Sequence, residues 1–377
     1  VGTMHILIAP DSFKESLSAL EVAKAVQKGF RKALPNATFD VMPVGDGGEG
    51  TLEALTGGLH LKRESHTVTG AFGQPVEAYY ATNGRLAVFE MADICGLEKV
   101  PMNQRSPLTL TTKGVGEMIG HLVDLGVEEI MIGVGGSSTN DGGLGMAAGL
   151  GYRFFDKTGH EVEAIGEHLG DITMVSYESC RWDLSQIKVT VITDVTNPLC
   201  GPNGATYIFG EQKGLAKEEF ASIDKDMERF YQTFFPAVLD LAGAGAGGGM
   251  AAGLAAFAGG QIISGIDAVL DMLDFDRRVQ KADIVVVGEG RMDKQSLSGK
   301  APVGLAQRTP RGKLVIAICG SLKDDLPSFP ISNIQAAFPI IADADTLENT
   351  LDKAEQNLER TAQNIGNLLS FTRFNPC

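Results

Sequence analysis

The chain has 377 residues, 44% of them hydrophobic and 21% charged, which is typical of a folded globular protein and long enough to predict two domains. Its formal net charge of −15 argues against nucleic acid and anionic membrane surfaces as partners, so small molecules are expected, and a homo-oligomer is left open. No apolar run reaches the roughly 18 residues of a membrane span, and five scattered cysteines without a C-x-x-C pair predict a reducing, cytoplasmic setting without structural zinc.

An apolar run at residues 5–10 predicts a first β-strand. Ser18 and Glu21 have the spacing of a capping box and predict the start of a helix. The loop between strand and helix, residues 11–16, follows the carboxyl end of the strand, where open α/β sheets bind ligands. Lys14 in this loop is either an anion contact or a solvated surface lysine.

A second strand is predicted at residues 38–44, followed by a glycine-rich hexapeptide at 45–50 and a helix at 51–55. The hexapeptide matches G-x-G-x-x-G, but it places Asp46 and Glu49 where the pyrophosphate of a dinucleotide would lie. Carboxylates repel phosphate unless a metal ion lies between them. The two residues therefore indicate Mg²⁺ or a hydrogen bond to a substrate hydroxyl; the alternative for Asp46 is a turn-stabilising role.

Alternating patterns predict strands at residues 67–70, 75–81 and 86–91, followed by a helix at 112–125 and an apolar strand at 130–134. The polar segment that follows consists of Gly135, Gly136, Ser137, Ser138, Thr139, Asn140 and Asp141. A strand that feeds a glycine-rich turn and then a helix presents several backbone N–H groups to one point. The segment therefore predicts a site for phosphate or carboxylate oxygens, with a tight strand–helix turn as the alternative.

The strand predicted at residues 188–193 ends at Asp194, and Asn197 follows closely. This pair suits a metal ion or a substrate hydroxyl, and the alternative is a polar turn before Pro198. An amphipathic helix is predicted at residues 217–234.

An apolar strand at residues 283–287 leads into a polar loop at 288–300 that carries the cations Arg291, Lys294 and Lys300. The loop is not a Walker A motif, because Lys294 stands where glycine is required and Ala301 follows Lys300 where serine or threonine is required. Three cations in so acidic a chain predict an anion site. A solvated charged loop is the alternative.

Strands at residues 313–319 and 334–338 and a long helix at 346–369 complete the predicted elements. The two chain ends share a pattern of short apolar strands that are each followed by a loop and a helix. The simplest topology is one parallel α/β domain made from residues 4–66 and 283–377, with a second α/β domain, residues 67–282, inserted between them.

Five long segments can be compared with known families: APDSFKESLSA from Ala9, MPVGDGGEGT from Met42, IGVGGSSTNDGGLGMAAGLG from Ile132, ITDVTNPLCGPNGA from Ile192, and GEGRMDKQSLSGKAPVGLA from Gly288. In this order they resemble bacterial glycerate kinases of the glycerate kinase type-1 family, over essentially the whole chain. The resemblance implies an ATP-dependent, Mg²⁺-requiring kinase that converts D-glycerate to 2-phosphoglycerate in glycolate, glyoxylate or sugar-diacid breakdown, with 3-phosphoglycerate as the alternative product. It also implies a flavodoxin-like domain and an inserted domain resembling restriction endonucleases.

Phosphoryl transfer depends on positioning and charge neutralisation, and the polar loops can supply both. We expect the N–H groups of residues 135–139 to bind ATP phosphates, and a cleft between the domains to close over the substrate. One of three aspartates would accept the hydroxyl proton, with Asp194 favoured, and any of the three could bind Mg²⁺: Asp46, Asp194 and Asp293. The further expected contacts to substrate or phosphate are Asp11, Ser12, Lys14, Asn140, Asn197, Arg291, Lys294, Ser298 and Lys300.

Two other function classes can be weighed against this hypothesis. A dinucleotide-dependent oxidoreductase would use the G-x-G-x-x-G matches, but the first strand lacks the fingerprint with a ribose-binding acid. A non-catalytic protein that binds sugar acids could use the same loops, but the carboxylates would then have no task.

Overall fold

The structure is a computed structural model that describes residues 3–44, 59–298 and 301–371. It is a mixed α/β fold with parallel sheets, as the sequence predicts. The chain divides into two compact units: the first comprises Val1–Leu59 and Gly265–Cys377, and the second comprises His60–Ser264. Within the described ranges, no helix is both long and apolar enough to cross a membrane.

The strands are, in chain order, β1 (His5–Ile8), β2 (Thr38–Val41), β3 (Lys62–Thr69), β4 (Pro75–Thr82), β5 (Leu86–Glu90), β6 (Glu129–Gly133), β7 (Arg153–Phe155), β8 (Glu161–Val162), β9 (Met174–Ser176), β10 (Lys188–Ile192), β11 (Gln261–Ile263), β12 (Ile284–Val287), β13 (Arg291–Met292), β14 (Leu314–Cys319), β15 (Ser321–Leu322) and β16 (Ala336–Pro339). The α-helices are α1 (Ala19–Ala33), α2 (Ala92–Cys95), α3 (Lys113–Asp124), α4 (Leu144–Gly149), α5 (Ala205–Phe209), α6 (Phe220–Phe234), α7 (Met250–Ala258), α8 (Gly265–Met272), α9 (Phe275–Gln280), α10 (Ala301–Arg308), α11 (Leu347–Asp352) and α12 (Ala354–Phe371).

The first unit is built on a five-stranded parallel sheet with the order β16-β14-β12-β1-β2. The central strands β1 and β12 are almost wholly apolar and buried, which is typical of parallel strands covered on both faces. Because all five strands run the same way, their carboxyl ends lie along one edge of the sheet. The loops after β1 and β12, which carry several predicted site residues, therefore emerge at the same edge.

Helix α1 begins where the sequence predicts, because the capping box of Ser18 and Glu21 forms in full. One face of α1 packs against α12, and the contact depends on Gly29. A Cβ atom at Gly29 would overlap the carbonyl oxygen of Glu359 and lie 2.8 Å from the Cβ of Ala362. The two helices therefore approach at backbone distance, and Phe30 beside this point is fully buried, which is worth about 1.5–3 kcal/mol.

The second unit is built on a six-stranded mixed sheet with the order β11-β10-β6-β5-β4-β3. Strands β5, β6, β10 and β11 are parallel, and β3 and β4 form an antiparallel hairpin at one side. Glu90, Gly133 and Ile192 are neighbours across the sheet, so β5, β6 and β10 end side by side. A small antiparallel sheet, β8-β7-β9, is absent from the sequence-based prediction.

The boundaries of the two units differ from the predicted 66/67 and 282/283. Strand β3 begins at Lys62 and pairs with β4 along its whole length, so it belongs to the second unit. At the other end, α8 packs against α10 of the first unit, so the chain returns to that unit at Gly265. The predicted helix at 346–369 is two helices separated at Lys353, and the predicted helix at 51–55 lies outside the described residues.

Candidate functional site

The loops after β1 and β12 lie directly against each other at the carboxyl edge of the first sheet. The backbone N–H of Asp11 donates to the carbonyl oxygen of Gly288 at 2.9 Å. A Cβ atom at Gly290 would lie 3.4 Å from the Cα of Phe13 and 3.5 Å from the backbone nitrogen of Lys14. The structure therefore brings together the loop of Asp11, Ser12 and Lys14 and the loop that leads to Arg291.

The side chains of the first loop differ in exposure. Asp11 is only 8% exposed, and its carboxylate accepts a hydrogen bond from the Ser12 backbone N–H at 2.6 Å. Lys14 is exposed. The buried carboxylate thus takes part in the turn, and Lys14 lies at the protein surface.

The second loop contains an ordered turn around Asp293. One oxygen of its carboxylate accepts hydrogen bonds from the backbone N–H groups of Gln295 at 2.9 Å and Ser296 at 3.2 Å. The other oxygen lies 3.5 Å from the Nε of Arg291. This geometry makes Asp293 a cap for the short helical turn Lys294–Ser298.

The predicted cations of this loop are exposed where the structure describes them. Arg291 and Lys294 both face solvent, and the backbone N–H of Lys294 donates to Asp325 at 3.2 Å. Ser298 is exposed as well. Three residues named in the sequence analysis, Asp46, Glu49 and Lys300, lie outside the described residues.

In the second unit, the polar segment after β6 is mostly buried. Gly135 and Gly136 are exposed, and Gly136 has a φ of 70°, which favours glycine. The five residues from Ser137 to Asp141 are at most 3% exposed. The surface that this segment offers to a ligand is therefore the two-glycine turn.

Hydrogen bonds inside the protein explain why the polar side chains are buried. The backbone N–H and the hydroxyl of Ser138 both donate to the carbonyl oxygen of Cys95, at 2.9 and 2.8 Å. Asn140 donates from its backbone N–H to Pro107 at 3.1 Å and from its side chain to the hydroxyl of Thr206 at 2.9 Å. These donors have protein acceptors, so they are already engaged in the arrangement that the structure describes.

Asp141 is fully buried and holds the start of α4. Its carboxylate accepts hydrogen bonds from the Thr112 hydroxyl at 2.6 Å and from the backbone N–H groups of Gly143 at 2.8 Å and Gly145 at 3.0 Å. Burial raises the pKa of this carboxyl group, and the three hydrogen bonds act in the opposite direction. Asp141 is therefore a structural residue that fixes the loop to the helix.

Two further polar groups stand at the carboxyl ends of neighbouring strands. Asp194 follows β10 and is exposed, and the side chain of Asn197 donates to the carbonyl oxygen of Asn203 at 2.8 Å. Glu90 ends β5, and its Cγ would lie 3.3 Å from a Cβ atom at Gly133. Glu90 was missed by the sequence analysis, because it is the polar last residue of an apolar strand.

Lys213 was also missed. It lies in the short helical turn Glu211–Lys213, is 3% exposed, and donates to Ser137 and Thr139. A lone lysine between polar residues and a glycine has the same sequence pattern as an ordinary surface loop. Only the packed structure distinguishes it.

The carboxylates can be tested against the expected Mg²⁺. Within residues 3–44, 59–298 and 301–371, no three or more His, Cys, Asp or Glu side chains cluster to hold a metal ion. Mg²⁺ bound with nucleotide usually takes one or two protein carboxylates and completes its shell with phosphate oxygens and water. Asp194 is exposed, and the carboxylate of Asp293 accepts two backbone hydrogen bonds in its own turn.

A model of the glycerate kinase family matches residues 6–370. The chain belongs to the glycerate kinase family. A glycerate kinase of Neisseria meningitidis serogroup B is 50% identical over 98% of this chain and 100% of its own length. A glycerate 2-kinase of Escherichia coli K12 is 40% identical over 97% of this chain and 98% of its own length.

A solved structure supports the same assignment. The crystal structure of a proposed glycerate kinase 2 from Salmonella typhimurium LT2 matches with a TM-score of 0.82 at 42% identity, over 98% of this chain and 99% of that chain. The resemblance drawn from the five motifs is confirmed. As a member of the glycerate kinase family, the chain is an enzyme of the kinase class, and its polar sheet edges are the candidate places for that chemistry.

Proposed function

We propose that this enzyme transfers the γ-phosphoryl group of ATP to D-glycerate and forms 2-phosphoglycerate. The observation that carries the proposal is the likeness, over nearly the whole chain, to relatives named glycerate kinase, one of them named glycerate 2-kinase. The metabolic setting that we propose, glyoxylate or glycolate breakdown in the cytoplasm, follows from the resemblance.

We assign the nucleotide phosphates to the turn of Gly135 and Gly136. Both residues are exposed, and they follow a parallel strand at its carboxyl end, where α/β sheets bind ligands. The absence of side chains lets a phosphate approach the backbone N–H groups closely. Ser137, Ser138, Thr139 and Asn140 then act from behind the turn, since they are buried.

We assign the negative charges of glycerate and of the transferring phosphoryl group to the cations Lys14, Arg291, Lys294 and Lys300. Lys14 and Arg291 are exposed on loops that touch each other at the edge of the first sheet. A guanidinium group can bind a carboxylate through two parallel hydrogen bonds. Arg291 therefore suits the glycerate carboxylate, and Lys14 suits a phosphoryl oxygen.

We assign the role of general base to Asp194, and Asn197 to the substrate hydroxyl. An exposed carboxylate at a strand end can accept the hydroxyl proton during attack on the γ-phosphorus. Mg²⁺, held by Asp46, would neutralise charge on the β- and γ-phosphates. Asp293 supports the chemistry indirectly in this proposal, by holding the turn beside Arg291.

The finer fold assignments stay proposals. The strand order of the first sheet supports a flavodoxin-like fold for the first unit. When the five strands of this sheet are numbered along the chain, their order from the β2 edge is 2-1-3-4-5, which is the flavodoxin-like order. For the second unit, likeness to restriction endonucleases rests on the family resemblance.

The test is to incubate the protein with Mg-ATP and D-glycerate and to identify the product by ³¹P NMR. A 2-phosphoglycerate resonance is the expected result, and none should form with L-glycerate or with excess EDTA. The 3-phosphate would retain the kinase and overturn the assignment of the reacting hydroxyl. If ATP and glycerate both persist, the proposed substrate pair is wrong.

A further inference from the structure

Lys213 is a buried cation that takes no part in the proposed binding of glycerate, ATP or Mg²⁺. Its side chain is 3% exposed, and its ammonium group donates to the hydroxyl oxygen of Ser137 and to the carbonyl oxygen of Thr139, both at 2.8 Å. Both acceptors are neutral oxygens. Removing an ammonium group from water is costly unless its surroundings compensate, so a lysine in this position calls for an explanation.

The position of Lys213 relative to the two-glycine turn explains why a charged group is buried here. Ser137 follows Gly136 directly, and Thr139 lies two residues further along the chain. The hydrogen bonds from the ammonium group of Lys213 therefore fix the backbone immediately after the exposed turn. Ser137 is also paired with Gly96 in an isolated β-bridge, which fixes the segment from another side. The positive charge is thus held close to the backbone N–H groups of the turn, in surroundings that exclude water.

The same segment carries two buried polar atoms without protein partners. Among the described residues, the hydroxyl oxygen of Thr139 and the side-chain carbonyl oxygen of Asn140 have no hydrogen bond. Unpaired buried polar groups are uncommon in folded proteins and collect where function requires them. A buried charge and two unpaired oxygens within a few residues of one turn favour a functional over a purely structural loop.

We propose that Lys213 is a positioning residue for nucleotide binding: it holds the turn of residues 135–139 in shape and adds positive charge behind the turn for an ATP phosphate. The inference rests on the proposed function, because it uses the phosphate site assigned there. Lys213 itself does not touch the nucleotide, since it is buried behind the segment.

The charge of Lys213 changes with pH in the neutral to weakly alkaline range. Burial lowers the pKa of its ammonium group to about 8, while Asp141 and Cys95 act in the opposite direction. The Cys95 thiol stays neutral in this range because burial raises its pKa well above the usual value. Arg105 lies beside Lys213 and donates a hydrogen bond to the carbonyl oxygen of Gln212 at 3.2 Å. Between pH 7 and 9, the charge of Lys213 behind the turn therefore changes.

The test compares three proteins by calorimetric titration with Mg-ATP: the wild type, Lys213→Met, and Lys217→Met as a matched control. Lys217 lies four residues away with a side chain 72% exposed, so its substitution should leave affinity unchanged. Lys213→Met keeps the side-chain volume and removes the charge. We expect its dissociation constant for Mg-ATP to rise about tenfold or more at pH 7, while its Tm stays at or above the wild-type value.

The pH dependence separates positioning from simple folding. Wild-type affinity should weaken between pH 7 and 9, and the affinity of Lys213→Met should stay flat. If Lys213→Met does not fold, the pH dependence of Mg-ATP affinity in the wild type still tests the inference. A wild-type affinity that does not change between pH 7 and 9 would overturn it. Equal affinities of wild type and Lys213→Met at pH 7, or a variant that loses Tm while binding normally, would overturn it too.

Two different assays distinguish a failure of the proposed function from a failure of the inference about Lys213. Titration with Mg-ATP does not depend on turnover, whereas the ³¹P NMR assay does. A wild type that binds Mg-ATP but makes no phosphoglycerate removes the substrate assignment and leaves the Lys213 comparison valid. A wild type that makes 2-phosphoglycerate, with no effect at Lys213, removes only this inference.

Discussion

The hydroxyl of Thr112 donates to the carboxylate of Asp141 at 2.6 Å, and the oxygen of the same hydroxyl accepts a hydrogen bond from the backbone N–H of Met146 at 2.9 Å. Thr112 and Asp141 are both fully buried. One side chain thus satisfies a buried carboxylate and an N–H group of the first turn of α4. This pair connects the segment before α3 with the end of the polar loop.

Thr112→Val should therefore destabilise the protein by about 2–3 kcal/mol, because it leaves a buried carboxylate and a buried N–H group each short of a partner. Urea unfolding followed by circular dichroism measures the change. Thr109→Val is the matched control, since Thr109 is exposed and its hydroxyl donates to the nearby Ser106. Equal midpoints for the two variants would show that the buried pair contributes little.

The stability of the protein should depend on pH through Lys213. Its pKa in the folded state is about 8, below the ordinary value of 10.5, so the unfolded chain binds more protons between these two values. Stability contributed by this group is therefore lowest below pH 8 and increases as pH rises toward 10.5. The stability advantage of Lys213→Met over the wild type should shrink between pH 7 and 10 in unfolding titrations.

Asp194→Asn should lower kcat by about 10²-fold or more with the folded state intact, because it removes the proposed proton acceptor. Tm and the Mg-ATP dissociation constant check that folding and binding survive. Asp240→Asn, an exposed aspartate of the same unit, is the control and should behave as the wild type. Near-normal kcat in Asp194→Asn would remove Asp194 from the role of base.

Gly29→Ala should destabilise the first unit by about 1–3 kcal/mol, because the new methyl group would overlap the backbone of α12. In a helix without such a contact, the same change would stabilise by about 1 kcal/mol, so even the sign is informative. Lys24→Ala on the exposed face of α1 is the control. A gain in stability for Gly29→Ala would mean that the two helices can move apart at little cost.

Local patterns predicted the elements and the edge at which polar loops gather, because apolar periodicity and caps act within a few residues. The capping box of Ser18 and Glu21 and the apolar strand β12 are confirmed. The sequence places the start of β3 outside its unit, because Lys62 to Ser65 are all polar and show no apolar alternation. Ser137 and Lys213 are buried together because distant segments of the chain pack against each other, and no local sequence pattern predicts such packing.

The sequence also predicts that residues 135–140 bind phosphate or substrate, since backbone N–H groups, hydroxyls and an amide follow one another there. In the structure, Gly135 and Gly136 are exposed and Ser137 to Asn140 are buried, with hydrogen bonds to Cys95, Thr206 and Lys213 from distant parts of the chain. The predicted contact of the exposed glycine turn with phosphate stays a prediction. So do the roles of Lys14, Asp194, Arg291 and the residues outside the described ranges.

The pairing of β1 with β12 has a consequence for synthesis on the ribosome. His5 at the start of β1 bonds to Asp283, 278 positions later in the chain, whereas residues 60–264 form their unit from one continuous stretch. The continuous unit is completed on the ribosome before residues 265–377 are made, so it can fold first, while β1 still lacks its neighbour β12. A nascent chain halted before Asp283 would expose an unpaired edge of β1, which makes prompt chaperone contact with the amino-terminal segment an advantage.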